Sequence, residues 1–113
     1  MTGLSGGQPP LQHVVLLKFP QALTAAEDAE MRAMVATWPD AIGSMDELRF
    51  GGELSGERSR GYQYLLFTVF ADADALASYV AHPVHREFVA WLDARACERL
   101  AFDYHLDAST RFV

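Results

Sequence analysis

Hydrophobic residues recur with two different periods along this chain, and each period predicts an element of secondary structure. Residues 13–19 form a short apolar run that is β-branched at its start and closed by Pro20, which is typical of a strand. Successive residues of a strand point in opposite directions, so this one is apolar on both faces. Val14 and Leu16 form one side, and Val15 and Leu17 form the other.

A helix is predicted between residues 24 and 38, where apolar residues recur at helical spacing. Thr24 and Glu27 have the spacing of a capping box, in which the two side chains satisfy free backbone N–H groups at a helix start. Pro39 is expected to end the helix, because proline disfavours helical geometry in the residue before it. The apolar stripe consists of Met31, Met34, Val35 and Trp38.

Two further strands are predicted at residues 45–50 and 61–70, joined by a glycine-rich connection. Leu48 and Phe50 share one face of the first of these strands, since they are two residues apart. The second strand is apolar on both faces, and the glycines of the connection match no phosphate-binding spacing. The other face of the first strand is expected to carry Met45, Glu47 and Arg49.

Residues 79–88, with the sequence YVAHPVHREF, interrupt two helical patterns at a proline. The pattern before the break begins at Asp72, a favoured N-cap residue, and the pattern after it extends to about residue 96. Pro83 cannot continue the first helix, but it suits the first turn of the second. Tyr79 and His85 are therefore expected near a fixed kink, where both could face one cavity.

The predicted order is strand, helix, strand, strand, helix pair and strand, which is the pattern of an α+β, ferredoxin-like fold with a four-stranded antiparallel sheet. The last strand alternates, with one face made of Leu100, Phe102, Tyr104 and Leu106. Helices cover only one face of such a sheet, yet two strands are apolar on both faces. A second copy of the chain is the expected cover, which predicts a homodimer with two sheets packed face to face. Residues 1–10 are expected to form a flexible leader, residues 11–107 the domain and residues 108–113 a tail.

Composition narrows the expected partners and compartment. The chain of 113 residues is 50% hydrophobic and 21% charged, as is ordinary for one globular domain. Its net charge of −6 argues against nucleic acid as a partner, and no apolar run is long enough to predict a membrane span. We expect a cytoplasmic protein, because the N-terminus lacks the pattern of a secretory signal and Cys97 has no internal disulfide partner. Cys97 is expected to be a small core residue.

Tyr79 and His85 carry the candidate chemistry. An imidazole with an ordinary pKa of about 6.5 can take a proton at neutral pH, and a phenol can donate to the oxygen of a developing enolate. The alternative is structural: His85, in the first turn after Pro83, bonds to a free backbone group, and Tyr79 lies in the core with its hydroxyl satisfied. His82 is assigned to the start of the second helix. Pro83 disrupts the helical spacing that would let His82 and His85 bind one metal, so no metal is expected. No motif in the sequence supports haem or flavin, so no cofactor is expected.

The chain resembles the stress-responsive dimeric α/β-barrel (Dabb) family over residues 13–104. The shared features are the opening HVVLLKF segment, Gly61-Tyr62 before the third strand, the Tyr79-x-x-His82-Pro83-x-His85 element followed by Phe88, and Phe102-Asp103-Tyr104 in the last strand. The resemblance implies a ferredoxin-like subunit that assembles into a dimeric α/β barrel.

Members of this family include stress-response proteins without an assigned activity and a plant polyketide cyclase that uses aldol chemistry. Resemblance to that cyclase implies that Tyr79 and His85 are the catalytic pair. It also implies a pocket between sheet and helices, with Tyr64 in place of the cyclase's third-strand histidine and a wall formed by His13, Val15 and Leu17. The implied function is a cofactor-independent cyclase or lyase acting on a polyketide-like or other small hydrophobic carbonyl compound. The alternative is a non-catalytic stress-responsive protein whose binding or assembly is its function.

Overall fold

The computed structural model describes residues 8–113 and shows a four-stranded antiparallel sheet with helices packed on one face. Counted along the chain, the second strand lies at one edge of the sheet, followed by the third, the first and the fourth, which confirms the ferredoxin-like prediction. The expected leader falls mainly on residues 1–7, which lie outside the described residues. The elements are β1 (Leu11–Lys18), α1 (Ala25–Ala36), α2 (Trp38–Ala41), β2 (Met45–Gly52), β3 (Tyr64–Phe70), α3 (Ala73–Ala81), α4 (Pro83–Asp93) and β4 (Glu98–His105).

The start of α1 is a capping box, as predicted. The backbone N–H of Glu27 donates to Thr24 Oγ1 at 3.1 Å, and that of Thr24 donates to Glu27 Oε1 at 3.0 Å. The expected end at Pro39 is wrong, because α1 stops at Ala36 and proline occupies the first turn of the short helix α2. The extra turn places Trp38 fully inside the core.

Pro83 separates α3 from α4, as predicted. Helix α3 ends at Ala81, and His82 is extended with φ −65° and ψ 136°. The Nδ1 atom of His82 accepts a hydrogen bond from the backbone N–H of Val84 at 3.1 Å, which confirms its role at the helix start. Helix α4 then runs only to Asp93, three residues short of the expected end.

The two faces of the sheet are both apolar, but only one is covered by helices. On the covered face, Leu17, Leu66 and Phe70 are buried in the core. On the other face, Val14 lies between Phe67 of β3 and Phe102 of β4. The large apolar side chains that β4 contributes to this face are 36% to 65% exposed. We call this uncovered surface the outer face, and it comprises Val14, Leu16, Leu65, Phe67, Val69, Leu100, Phe102 and Tyr104.

A bulge in β2 corrects the predicted position of Met45. The pairing of β2 with β3 shifts between Met45 and Glu47, so the alternation of side chains reverses there. Met45 pairs with Phe70 and packs against the core, whereas Glu47 pairs with Val69 of the outer face. The sequence alternation therefore placed Met45 wrongly with Glu47 and Arg49, because one extra residue moves a side chain to the opposite face.

Within residues 8–113, no helix has both the length and the apolar character needed to cross a bilayer.

Candidate functional site

A cavity of about 200 Å³ lies between the covered face of the sheet and helices α3 and α4. It brings both predicted catalytic residues, Tyr79 and His85, together with the three residues of β1 that were expected on its wall. A filled core at this position would have favoured a purely structural role for the pair. The lining consists of His13, Val15, Leu17, Leu66, Tyr79, His85, Phe88, Val89, Leu92, Arg99 and Ala101.

Tyr79 is fully buried near the end of α3. Its ring packs against Phe70 and Trp38, with centroid distances of 5.0 and 5.5 Å. The hydroxyl group has no hydrogen-bond partner among the described residues, which is unusual for a buried polar atom. Burial raises the pKa of Tyr79, because the phenolate would be poorly solvated. The phenol therefore keeps its proton at neutral pH and can donate it in a hydrogen bond.

His85 lies in the first turn of α4, with its ring centroid 4.2 Å from that of Tyr79. Its Nδ1 atom is 3.3 Å from the backbone oxygen of Val80. A carbonyl oxygen only accepts, so Nδ1 carries the hydrogen in this pair and Nε2 carries the lone pair. Burial lowers the pKa of His85 and outweighs the opposing bond to Val80, while the nearby His13 lowers it further. The imidazole is therefore neutral at pH 7 and available as a base.

His13 forms a second polar pair at the same end of the cavity. The register of β1 and β4 places His13 opposite Asp103, and its Nδ1 atom is hydrogen-bonded to Asp103 Oδ1. The His13 ring meets the ring of Tyr79 in an edge contact at 6.0 Å. Sequence reasoning gave Asp103 no role. Asp103 does belong to the more polar of the two alternating sets of residues in the last strand. The pairing of β4 with β1 places this set on the side of the sheet that faces the helices.

Tyr64 does not line this cavity. Its hydroxyl donates to Asp28 Oδ2 at 2.6 Å, and its ring packs against Phe19 and Phe50. Burial, together with the bond to Asp28, raises the pKa of Tyr64 to about 12. The side chain therefore fastens α1 to the sheet, away from His13 and Tyr79.

Arg99 lines the cavity and Trp38 packs beside it, although the sequence pattern assigned neither residue to the site. Trp38 packs against His85 and Phe88, with centroid distances of 5.7 and 5.1 Å.

Cys97 is buried and burial raises its pKa, so it stays a thiol as a core residue does. Among residues 8–113, no group of three or more His, Cys, Asp or Glu side chains could hold a metal ion.

The family of the chain follows from a comparison of its sequence with known families. The model of the stress responsive A/B barrel domain (Dabb) matches residues 11–106. The chain belongs to the Dabb family. This assignment confirms the resemblance seen in the sequence.

Two curated proteins and one solved structure are similar to this chain. Protein HS1 of Arabidopsis thaliana, a stress-response A/B barrel domain-containing protein, is 28% identical over 96 residues, which are 84% of this chain and 88% of that protein. Olivetolic acid cyclase of Cannabis sativa is 23% identical over 95 residues, or 83% and 94% of the two chains. A dimeric ferredoxin-like protein of Thermobifida fusca has the same fold, with a TM-score of 0.75 at 22% identity over 92% of this chain and 97% of that one.

The proline between α3 and α4 of this Dabb chain can be tested directly. In Pro83→Ala we expect the two helices to merge or slip, because alanine permits helical geometry at His82. The Tyr79–His85 contact should then change more than the sheet does, and NMR chemical shifts of both rings should report it. The exposed Pro20→Ala is the control and should move neither ring. An unchanged ring contact in Pro83→Ala would remove the positioning role of the break.

Proposed function

We propose that this Dabb chain forms a homodimer with one small-molecule pocket in each subunit, and that Tyr79 and His85 are a cofactor-independent acid–base pair. The substrate would be a polyketide-like or other carbonyl compound, and the reaction a cyclisation or lyase step. One observation carries the proposal. Among residues 8–113, a buried phenol without a hydrogen-bond partner and a neutral imidazole meet at a centroid distance of 4.2 Å in one cavity.

The proposed reaction begins with a proton on a carbon next to the substrate's carbonyl group. The Nε2 atom of His85 takes this proton, and the electron pair of the C–H bond moves to the carbonyl oxygen as an enolate. The Tyr79 hydroxyl donates a hydrogen bond to that oxygen, where negative charge develops. The enolate carbon then attacks a second carbonyl of the same molecule, and the imidazolium returns its proton to the new alkoxide.

The structure and the similar proteins each support both parts of the proposal, which are the reaction and the dimer. The similarity to olivetolic acid cyclase supports a ring-closing reaction, and the cavity at Tyr79 and His85 favours chemistry over the non-catalytic alternative. The apolar outer face supports the dimer, since a monomer would leave Phe102 65% exposed and Leu100 51% exposed. The similar Thermobifida fusca protein is dimeric.

The pH dependence of proton exchange tests the proposal without a known substrate. A simple methyl ketone in deuterated buffer loses its α-proton NMR signals if the protein catalyses enolisation. The rate should fall on the acid side with a midpoint below about 6.5, because acid protonates the base and burial has lowered the pKa of His85. No alkaline loss should occur near pH 10, since burial raises the pKa of Tyr79.

The exposed His105 provides the control for this profile. The His105→Ala variant should reproduce the wild-type curve, because its ring does not line the cavity. An acid midpoint at or above the ordinary histidine value would show that another group is the base. Absence of catalysed exchange in both proteins would favour the non-catalytic binding function.

A further inference from the structure

The cavity is polar at both ends and apolar between them. The β1–β4 register pairs His13 with Asp103 and Leu17 with Arg99. Arg99 and Asp103 are four residues apart on the same side of β4, a distance of about 13 Å at roughly 3.3 Å per residue. The wall between them is hydrophobic and includes Val15, Leu66, Val89 and Leu92.

Helix α4 shows the same separation independently. His85 in its first turn and Asp93 at its end are eight residues apart, or about 12 Å at roughly 1.5 Å per residue. The Nη2 atom of Arg99 donates to Asp93 Oδ1 at 2.6 Å. The guanidinium therefore lies at the end of the cavity that is distant from Tyr79 and His85.

The contact with Asp93 uses only part of the guanidinium group. Within residues 8–113, the Nε and Nη1 atoms of Arg99 have no hydrogen-bond partner, and the side chain is 32% exposed. Asp93 is itself 59% exposed, so its carboxylate is on the solvent side of the pair. A planar guanidinium with free N–H groups matches the two oxygens of a carboxylate in a bidentate geometry.

We infer that Arg99 binds a carboxylate of the ligand, so the substrate is a small acid whose reactive carbonyl lies at the opposite end of the molecule. This inference rests on the proposed function and names the substrate class for the same cavity. The volume of about 200 Å³ is below the roughly 300–1,000 Å³ of pockets for drug-sized ligands, which favours a short chain or a single ring. The apolar wall contacts the hydrocarbon part, and Arg99 fixes which end of the molecule reaches His85.

Calorimetry with two matched probes tests the inference. One probe is a saturated keto acid with a methyl ketone at one end and a carboxylate at the other, and the second is the methyl ketone of the same carbon number without the carboxylate. We expect the acid to bind wild type more tightly by at least about tenfold. Arg99→Gln should weaken acid binding by about 10- to 100-fold, as expected for hydrogen bonds to a charged group, and leave ketone binding unchanged.

Asp93→Asn is the matched control, because it breaks the same ion pair and leaves the guanidinium in place. It should retain or increase the affinity for the acid. Equal losses in Arg99→Gln and Asp93→Asn would overturn the inference, since they would assign Arg99 to joining β4 and α4. Equal binding of acid and ketone to wild type would overturn it too, while leaving the proposed pocket intact. If neither probe binds, both the inference and the pocket fail.

Discussion

Replacing His85 with alanine is expected to reduce catalysed proton exchange by about 10²- to 10⁴-fold, the loss typical of a positioned general base. In the proposed reaction the lone pair on Nε2 of His85 takes the substrate proton, while Nδ1 is bonded to the backbone oxygen of Val80. The exchange assay in deuterated buffer measures this loss. Added imidazole should restore part of the rate in His85→Ala, because the small base can enter the space left by the side chain.

Tyr79→Phe is the comparison variant for this experiment. It removes one hydrogen bond to the enolate and keeps the ring contacts with Trp38 and Phe70, so we expect a smaller loss of about tenfold. The exchange should also survive a chelator, since the proposed step uses only side chains. A full rate in His85→Ala, or a rate that collapses with chelator, would contradict the acid–base role.

A charge at the centre of the outer face is expected to dissociate the proposed dimer. Phe67 of β3 pairs with Val14, which in turn pairs with Phe102. In Phe67→Asp a face-to-face dimer would bury an unpaired carboxylate from each subunit, and each costs several kcal/mol. We expect the dissociation constant to rise by about 10³-fold or more, because every 1.4 kcal/mol is tenfold. Sedimentation equilibrium at micromolar concentration measures the change.

The control for Phe67→Asp is Ala33→Asp, which adds the same charge to the exposed side of α1. It should leave the dimer intact, and circular dichroism should show a folded chain for both variants. The wild-type interface should bury at least about 1,200 Å², the size of a specific interface. A wild-type monomer at micromolar concentration, or a dimer that tolerates Phe67→Asp, would contradict the proposed assembly.

Local sequence signals predicted the elements of this fold well. The start of α1 is determined by Thr24 and Glu27, and the start of α4 by His82 and Pro83. These contacts join residues close in sequence, so each start can be predicted without the rest of the chain. The continuous apolar runs of the first and third strands likewise predicted a sheet with two apolar faces. Met45 was placed wrongly because a bulge depends on how β2 pairs with β3, and a single strand does not contain that information.

Only part of the candidate site could be predicted from the sequence, because the rest depends on how the strands pair. Tyr79 and His85 are six positions apart around one proline, so their contact is a local property of the chain. The pairing of His13 with Asp103 joins residues 90 positions apart, and it exists only once the register of β1 and β4 is set. Arg99 reaches the cavity through the same register. Tyr64 was expected in the pocket but lies outside it. Its position on a strand does not indicate that its hydroxyl bonds to Asp28.

Among residues 8–113 the Tyr79 hydroxyl has no hydrogen-bond partner, and under the proposed function this places stability in opposition to ligand binding. A buried polar group without a hydrogen bond destabilises the folded state by about 1–3 kcal/mol. Phenylalanine would remove that penalty with little change in shape, so stability alone selects against the tyrosine. In the proposed complex, a ligand oxygen that accepts a hydrogen bond from the phenol would recover the lost free energy and add it to the binding affinity. Under the proposed function, the same atom therefore lowers the stability of the free protein and raises its affinity for a ligand.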